Sequence, residues 1–556
     1  LLAAAAVLAL AAFFRLHALD IAEFKLDEAT AVDRARQLLD GAWPTVGLTS
    51  SVGALNPPFF IYLIAVPLAM RDDPLAATAF IGVLAVAAVA LTYVVLRPRF
   101  GSLVALSTAA YFATAPWAVL YGRKIWAQDA LPIVDILLLW CLLLALEKRR
   151  SRAVLFVPVL FCLAFQLNFS AVALLVPVAA VLAYRVREID WTWFLAGLGC
   201  ASLLLAPWLA HEATHGFADV GRLLSEGRGN RGSAPLGAGT VEAMRQTIDL
   251  LGAWNWGYVV GQSRSGLVAD AGWAWTWGRW ATALTAALLV AGFLTCAFRI
   301  AFGAARRRGW PWVELDVAAL RRALLLVWLL GIWLSYATSA TDQIYPHYLI
   351  VTYPVSFAVA ALAVADVLGA LRRKARMSFV PVALTAAVVG GYAAFTLSFF
   401  HFVEQNGGVS GDYGVVYRDE AALAHLMKQR GLRVAQQPAL ELLASGTTQE
   451  PAGSARLVRV RNALVDPSPL ACAGERRSFG PLIACLPLAS RRSTGQTRPG
   501  RFHGRVARTK AAPARAATTR AARVVFVRQT RMSSAPRRPP PRPTRPRPSS
   551  PQIVSR

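Results

Sequence analysis

The stretch AATAFIGVLAVAAVALTYVVL at positions 76–96 runs without a charged residue straight into Arg97-Pro98-Arg99. At 1.5 Å per helical residue it is long enough to cross a hydrocarbon core of about 30 Å, and the basic pair marks the end retained on the cytoplasmic side. The same pairing of apolar run and basic end recurs. Lys148 to Arg152, Arg185 with Arg187, Arg306 to Arg308 and Arg372 to Arg376 are the other clusters. Placing all five inside predicts spans near 1–16, 76–96, 101–120, 131–147, 153–168, 171–185, 192–210, 278–300, 317–338, 347–370 and 379–402. The fold class is therefore all-α integral membrane, with about 11–13 transmembrane helices.

Composition agrees, since 56% of the 556 residues are hydrophobic and 16% are charged. The formal charge of +27 would suggest a nucleic-acid binder if it were spread evenly. It is not. Residues 456–556 hold 22 Arg and one Lys against Asp466 and Glu475, a surplus of 21 that leaves +6 for the preceding chain. Leu1 to Phe14 reads as a span rather than a cleaved signal, because no small-residue cleavage site follows it. Cys141, Cys162, Cys200 and Cys296 lie in apolar runs without CxxC spacing and read as small buried hydrophobes.

The alternation of basic clusters leaves Asn56 to Met70 as an anomaly: it is apolar but short and opens on Pro57-Pro58. A crossing there would invert every later loop, so an interfacial or re-entrant helix is expected. The outer side then receives residues 17–75, 121–130, 211–277, the link 339–346 and everything after His401. Three regions result: a polytopic domain over 1–402, a small extracytoplasmic segment over 403–455 and an Arg/Pro/Ala-rich tail over 456–556. Within the second, 421–430 should be helical and 432–435 a strand. The tail has no period capable of burying a core and is expected to be disordered. A shift of reading frame in a GC-rich gene would produce the same composition from about 455 onward.

Candidate chemistry collects in the outer segments. In the first, Asp27-Glu28 opens an amphipathic stretch in which Val32, Ala35, Leu38 and Leu39 share a face, as suits a helix on the membrane surface. Asp27 has two readings, a helix N-cap and a base that takes a proton from an acceptor hydroxyl or amine. Arg123-Lys124 places two cations at headgroup level, suited either to anionic lipid or to the phosphate of a lipid-linked donor. Asp129 precedes the next span as a cap or a functional carboxylate, and Asp135 lies about two turns further in, where ionisable groups usually face a polar interior. Tyr345-Pro346-His347-Tyr348, in the link beginning at Asp342, could contact sugar or phosphate or belong to an aromatic belt. The tryptophans Trp254, Trp256, Trp273, Trp275 and Trp277 read as an aromatic belt or a sugar-stacking surface.

Arg15 near the end of the first span, Asp27-Glu28 at a surface helix, and Asn56-Pro57-Pro58-Phe59 with Tyr62 resemble the GT-C glycosyltransferases that use polyprenyl-phosphate sugars. The likeness is to the bacterial protein mannosyltransferase-like and aminoarabinose-transferase-like enzymes. It covers roughly residues 10–400. It implies GT-C architecture with interfacial helices in the first outer loop and Asp27 as catalytic base supported by Glu28. It also implies donor contacts from Arg123, Lys124, Asp129, His347, Tyr345 and Asn56. The aminoarabinose-transferase branch often has Lys before the Pro-Pro pair; this chain has Asn56.

The function expected is transfer of a sugar from a polyprenyl-phosphate donor to an envelope lipid, glycan or protein, in a multi-pass plasma (inner) membrane protein with its site on the extracytoplasmic face. A lipid donor accounts for the lack of a phosphate-binding Gly-rich motif in a supporting context, and no nucleic-acid partner is expected. No cofactor is required by these residues and no metal ligand set is assigned, although a divalent cation near Asp27 and Glu28 is compatible with them. The rival class is a secondary transporter or lipid flippase, against which stands the lack of a repeat relating the halves.

Overall fold

The computed structural model describes residues 2–147, 151–228, 235–306, 315–339, 344–371, 379–448 and 457–487. Lys148, Arg307, Arg308, Arg372 to Arg376 and Asp342 lie outside these. The first half contains helices α1 Leu2–Leu16, α2 Leu26–Leu39, α3 Phe59–Met70, α4 Pro74–Phe100, α5 Ser102–Thr114, α6 Pro116–Tyr121, α7 Leu131–Glu147, α8 Phe156–Leu167, α9 Leu175–Tyr184 and α10 Trp191–Thr214. The second contains α11 Ala218–Arg228, α12 Ala238–Leu250, α13 Gly257–Val260, α14 Arg264–Arg306, α15 Val317–Ser335, α16 Val355–Leu371, α17 Val380–Asn406, α18 Tyr417–Gln429 and α19 Pro438–Ser445.

Among the described residues six helices are long and apolar enough to cross a membrane, and Pro346–Thr352 with Val355–Asp366, bent by 57°, makes a seventh. The remaining expected spans fall on shorter apolar helices: α1, the broken pair α5 and α6, and the segments Arg152–Leu167 and Phe169–Tyr184. At one end of the bundle Glu147 joins the basic ends of neighbouring helices, lying 2.9 Å from Arg99 and 2.9 Å from Arg321.

The break between α5 and α6 has a local cause. Pro116 has no amide hydrogen and so cannot bond the Phe112 carbonyl one turn back. Arg15, fully buried on α1, replaces the missing donors: its guanidinium donates to Phe112 at 2.9 Å and Ala113 at 2.7 Å. An arginine deep in an apolar bundle is tolerated because backbone carbonyls that would otherwise be orphaned receive its hydrogen bonds.

The Asn56–Met70 anomaly resolves as α3, twelve residues long, packed against α2 and α4. Helix α2 does more than lie on a membrane surface. It is held between α3 and α19 and buries Ala29, Val32 and Ala35 together with Asp33, while Leu39 is exposed. Asp33 faces inward because it accepts the Thr448 hydroxyl at 2.6 Å.

Beyond α17 the chain forms a small α/β module, and here two expectations fail. Strand β1 Arg433–Val434 is joined by β2 Leu457–Asn462, β3 Glu475–Phe479 and β4 Leu482–Leu486 in the order β1-β2-β4-β3, with α18 and α19 covering the sheet. Residues 457–487 are therefore folded, not disordered, and the module does not stop at 455. They bury Val458, Leu482, Ala484 and Leu486 against Leu423, Met427 and Leu440. That complementarity argues against a shifted frame from 455, while 488–556 lie outside the described residues. A disulfide, Cys472–Cys485, ties the loop before β3 to β4. Of the four other cysteines, Cys200 is exposed on α10 rather than buried.

Candidate active site

Helix α2 begins at Leu26, so Lys25 is its N-cap and Asp27 sits inside the first turn. The capping reading of Asp27 is thereby corrected. It is Glu28 that accepts the Lys25 backbone N–H, at 3.1 Å, as a residue three places into a helix is placed to do. Glu28 is buried, whereas the exposed Asp27 carboxylate makes no hydrogen bond or ion pair among the described residues.

Charge of both signs converges on this turn. The Lys25 ammonium lies 2.7 Å from Glu23 and 3.3 Å from the Asp412 carboxylate, and it donates to the Asp412 carbonyl at 2.6 Å. Lys124 lies 2.6 Å from Glu23 and 3.7 Å from Glu28, with its ammonium 3.3 Å from the centre of the Trp126 ring. From Trp126 an aromatic row continues to His347, ring centres 5.4 Å apart, and from His347 to Tyr345 at 5.6 Å and Tyr348 at 4.5 Å. The Asp412 backbone N–H donates to the Tyr258 carbonyl at 2.9 Å, which brings Tyr258 beside this cluster.

The electrostatics separate the neighbouring carboxyl groups. Displacement of water by the surrounding protein raises the pKa of Asp27 against the opposing pull of Lys124 and Lys25. Burial, reinforced by Glu23, pushes Glu28 upward despite Lys124. Burial also raises Glu420 on α18, to about 8, with the Glu28 and Asp419 charges adding to it. Asp412 goes the other way: burial opposes ionisation, but Lys25 and Lys124 outweigh it and hold the group below the usual carboxylate range.

Not every residue singled out from the sequence is free for a ligand. Arg123 is buried, and its guanidinium is taken by the carbonyls of Phe14, His17 and Ala18 at 3.0, 2.7 and 2.5 Å, clamping the end of α1. Asn56 spends its side-chain amide on the Leu48 carbonyl at 2.9 Å, closing a hairpin with residues 47–56. Asp129 does not cap α7. Both its carboxylate oxygens are buried without a hydrogen bond, as are those of Asp135 deeper in α7. Asp129 lines a small cavity with Tyr121, Gly122, Pro132 and Tyr353. Trp256 is core, packed on Trp117, Phe395 and Phe399, while Trp273 and Trp277 are exposed on α14.

Asp27, Glu28, Lys124, His347 and Tyr345 thus share one rim, Asp129 is buried in the segment that follows Lys124 and Trp126, and Arg123 and Asn56 serve as scaffold. Sequence reasoning missed Glu23, Lys25, Asp412 and Tyr258. The density of charge in Glu23-Phe24-Lys25-Leu26-Asp27-Glu28 was a usable signal for the first two. Asp412 had none, because its partner Lys25 is 387 positions away.

A helical bundle of this form is also found among solved structures. ArnT from Cupriavidus metallidurans bound to undecaprenyl phosphate superposes with a TM-score of 0.52 at 12% identity, over 87% of this chain and 97% of that one. The chain has the GT-C glycosyltransferase fold. ArnT from the same organism in the apo state matches with a TM-score of 0.49 at 14% identity, covering 79% and 83% of the two chains. The oligosaccharyltransferase of Archaeoglobus fulgidus, in complex with Zn and sulfate, gives 0.42 at 12%, covering 77% and 55%. By sequence, residues 55–211 match the family model of the dolichyl-phosphate-mannose-protein mannosyltransferases, a segment holding Arg123, Lys124 and Asp129 but not Asp27. No curated protein matches significantly by sequence. Of the rim, then, Lys124 lies inside the segment matched by the family model, whereas Glu23, Lys25, Asp27 and Glu28 precede it and His347 and Asp412 follow it.

Proposed function

We propose that the chain transfers a sugar from a polyprenyl-phosphate donor to an acceptor hydroxyl or amine on the non-cytoplasmic face, with Asp27 as general base. The observation that carries this is the contrast among the carboxylates gathered around the first turn of α2. Asp27 is exposed, unpaired and raised in pKa, while its neighbours Glu23, Glu28 and Asp412 are engaged by lysines or backbone. A carboxylate left free beside fixed charges can accept a proton as it is released.

In the reaction the acceptor oxygen or nitrogen attacks the anomeric carbon from the face opposite the phosphate and passes its proton to Asp27. The bond from that carbon to the phosphate oxygen breaks, and polyprenyl phosphate leaves with the electron pair. The configuration inverts. Lys124 and Lys25 supply the positive field for the leaving phosphate, with His347 and Tyr345 at its edge. Glu28 and Glu23 hold those lysines in place. No step needs a metal at Asp27 and Glu28. The ArnT structure bound to undecaprenyl phosphate favours a lipid of the same class. The disulfide in the module beside α2 favours an oxidising, extracytoplasmic compartment for this face.

The test uses the full chain in liposomes with a polyprenyl-phosphate sugar. Acceptor-dependent release of polyprenyl phosphate is expected, and Asp27→Asn should lower it by about 10²–10⁴-fold. Movement of the lipid across the bilayer without cleavage would favour the flippase reading, and transfer undiminished in Asp27→Asn would remove the proposed base.

A further inference from the structure

The end of α10 carries His211-Glu212-Ala213-Thr214-His215, two histidines four apart around a glutamate. On a helix that spacing can present both rings to one zinc ion, with the glutamate beside it as a base. Here the groups converge differently. The His215 ring stacks on His211 with centres 3.9 Å apart and turns its Nδ1 to the His211 carbonyl at 2.8 Å. The chain then reverses through Gly216 and Phe217, both at positive φ, and brings Asp219 at the start of α11 back over the end of α10. One ligand atom each from His211, Glu212 and Asp219 lies within 4.8 Å of the others.

These groups are poorly satisfied as they stand. The Glu212 side chain is fully buried; Oε2 accepts the Val220 N–H at 3.2 Å, and Oε1 has no partner. Asp219 is buried as well, with Oδ1 held by Arg222 at 3.0 Å and Oδ2 facing His211 Nε2 at 3.8 Å. A buried, unpartnered carboxylate oxygen is costly, and a divalent ion would relieve it. Ligands at zinc distances around a tetrahedral centre sit about 3.4 Å apart, so small side-chain rotations would close the set.

We infer that His211, Glu212 and Asp219 form a binding site for a divalent cation of the zinc class. Imidazole with two carboxylates suits zinc better than calcium or magnesium, which prefer all-oxygen shells. The ion braces the outer rim. Next to it Trp208 donates to the Leu55 carbonyl at 3.1 Å and Arg222 to the Gly53 carbonyl at 3.0 Å, so the α10–α11 corner holds the hairpin that leads into Asn56-Pro57-Pro58. Glu212 is a ligand in this arrangement rather than the base of a hydrolytic centre.

Full-length protein in nanodiscs, stripped with a chelator and dialysed against zinc chloride, should retain one zinc per chain by elemental analysis and melt at a higher temperature than the stripped form. His211→Gln and Asp219→Asn should each lower the zinc affinity at least tenfold, roughly the cost of losing one ligand interaction of 1.4 kcal/mol, and remove the zinc-dependent rise in melting temperature. Asp27→Asn and His215→Gln should keep both. Zinc retained unchanged in the His211 and Asp219 variants, zinc lost in Asp27→Asn, or no retained zinc in the wild type would each overturn the inference.

Discussion

Asp27→Asn removes the proton acceptor while keeping side-chain shape, and Asp27 has no structural partner to lose. Transfer should fall by about 10²–10⁴-fold, the range for a positioned general base, with the thermal melt unchanged. Glu28 should behave in the opposite way. Glu28→Ala leaves the Lys25 N–H uncapped and Lys124 short of a carboxylate, and should cost about 1 kcal/mol or more of stability, whereas Glu28→Gln keeps the acceptor and should cost less. Denaturation of both variants in detergent checks the order. Glu420 gives a pH test. It binds its proton up to about pH 8 in the native protein and only to its ordinary 4.5 when unfolded, so the native state holds the extra proton between those values. Its contribution to stability is full below pH 4.5 and is lost as pH rises toward 8. Glu420→Gln should flatten the fall of melting temperature across that window.

At the scale of elements, Arg15 and Arg123 are the rivets of α1. Arg15 serves the carbonyls exposed by the Pro116 break, and Arg123 serves those at the end of α1. Arg15→Leu should cost about 1–3 kcal/mol for each carbonyl left unsatisfied, seen as a lower melting temperature. Arg123→Lys keeps the charge but loses the planar fork. It should lower stability with the KM for donor unchanged; a raised KM with an unchanged melt would restore the phosphate role expected from the sequence. The distal sheet has its own fastening. Closing a loop with a sequence separation of 13 through Cys472–Cys485 should stabilise it by about 3 kcal/mol. Hydrogen exchange over 457–486 should accelerate when the protein is reduced, and the bundle should be unaffected.

At the scale of the whole molecule, the rim assembles groups from distant parts of the chain: Lys25 between α1 and α2, Lys124 after α6, His347 before α16 and Asp412 beyond α17. The apolar runs and their basic ends were legible in the sequence because span formation is a local matter. About twenty consecutive apolar residues must bond their own backbone as a helix in lipid, whatever surrounds them. The acidic turn at Asp27-Glu28 was legible for the same reason. What only the tertiary structure decided is which charges are spent and which are free. Arg123 looked like a phosphate ligand until the carbonyls at the end of α1 were seen to take its guanidinium, and of the two readings of Asp27, cap and base, the first falls because Glu28 takes the capping bond. The tail looked structureless as far as 556 because a strand such as β2 buries little alone, and its apolar face becomes a core only against α18 and α19. Neutralisation and burial depend on partners hundreds of residues away, and no local pattern along the chain encodes them.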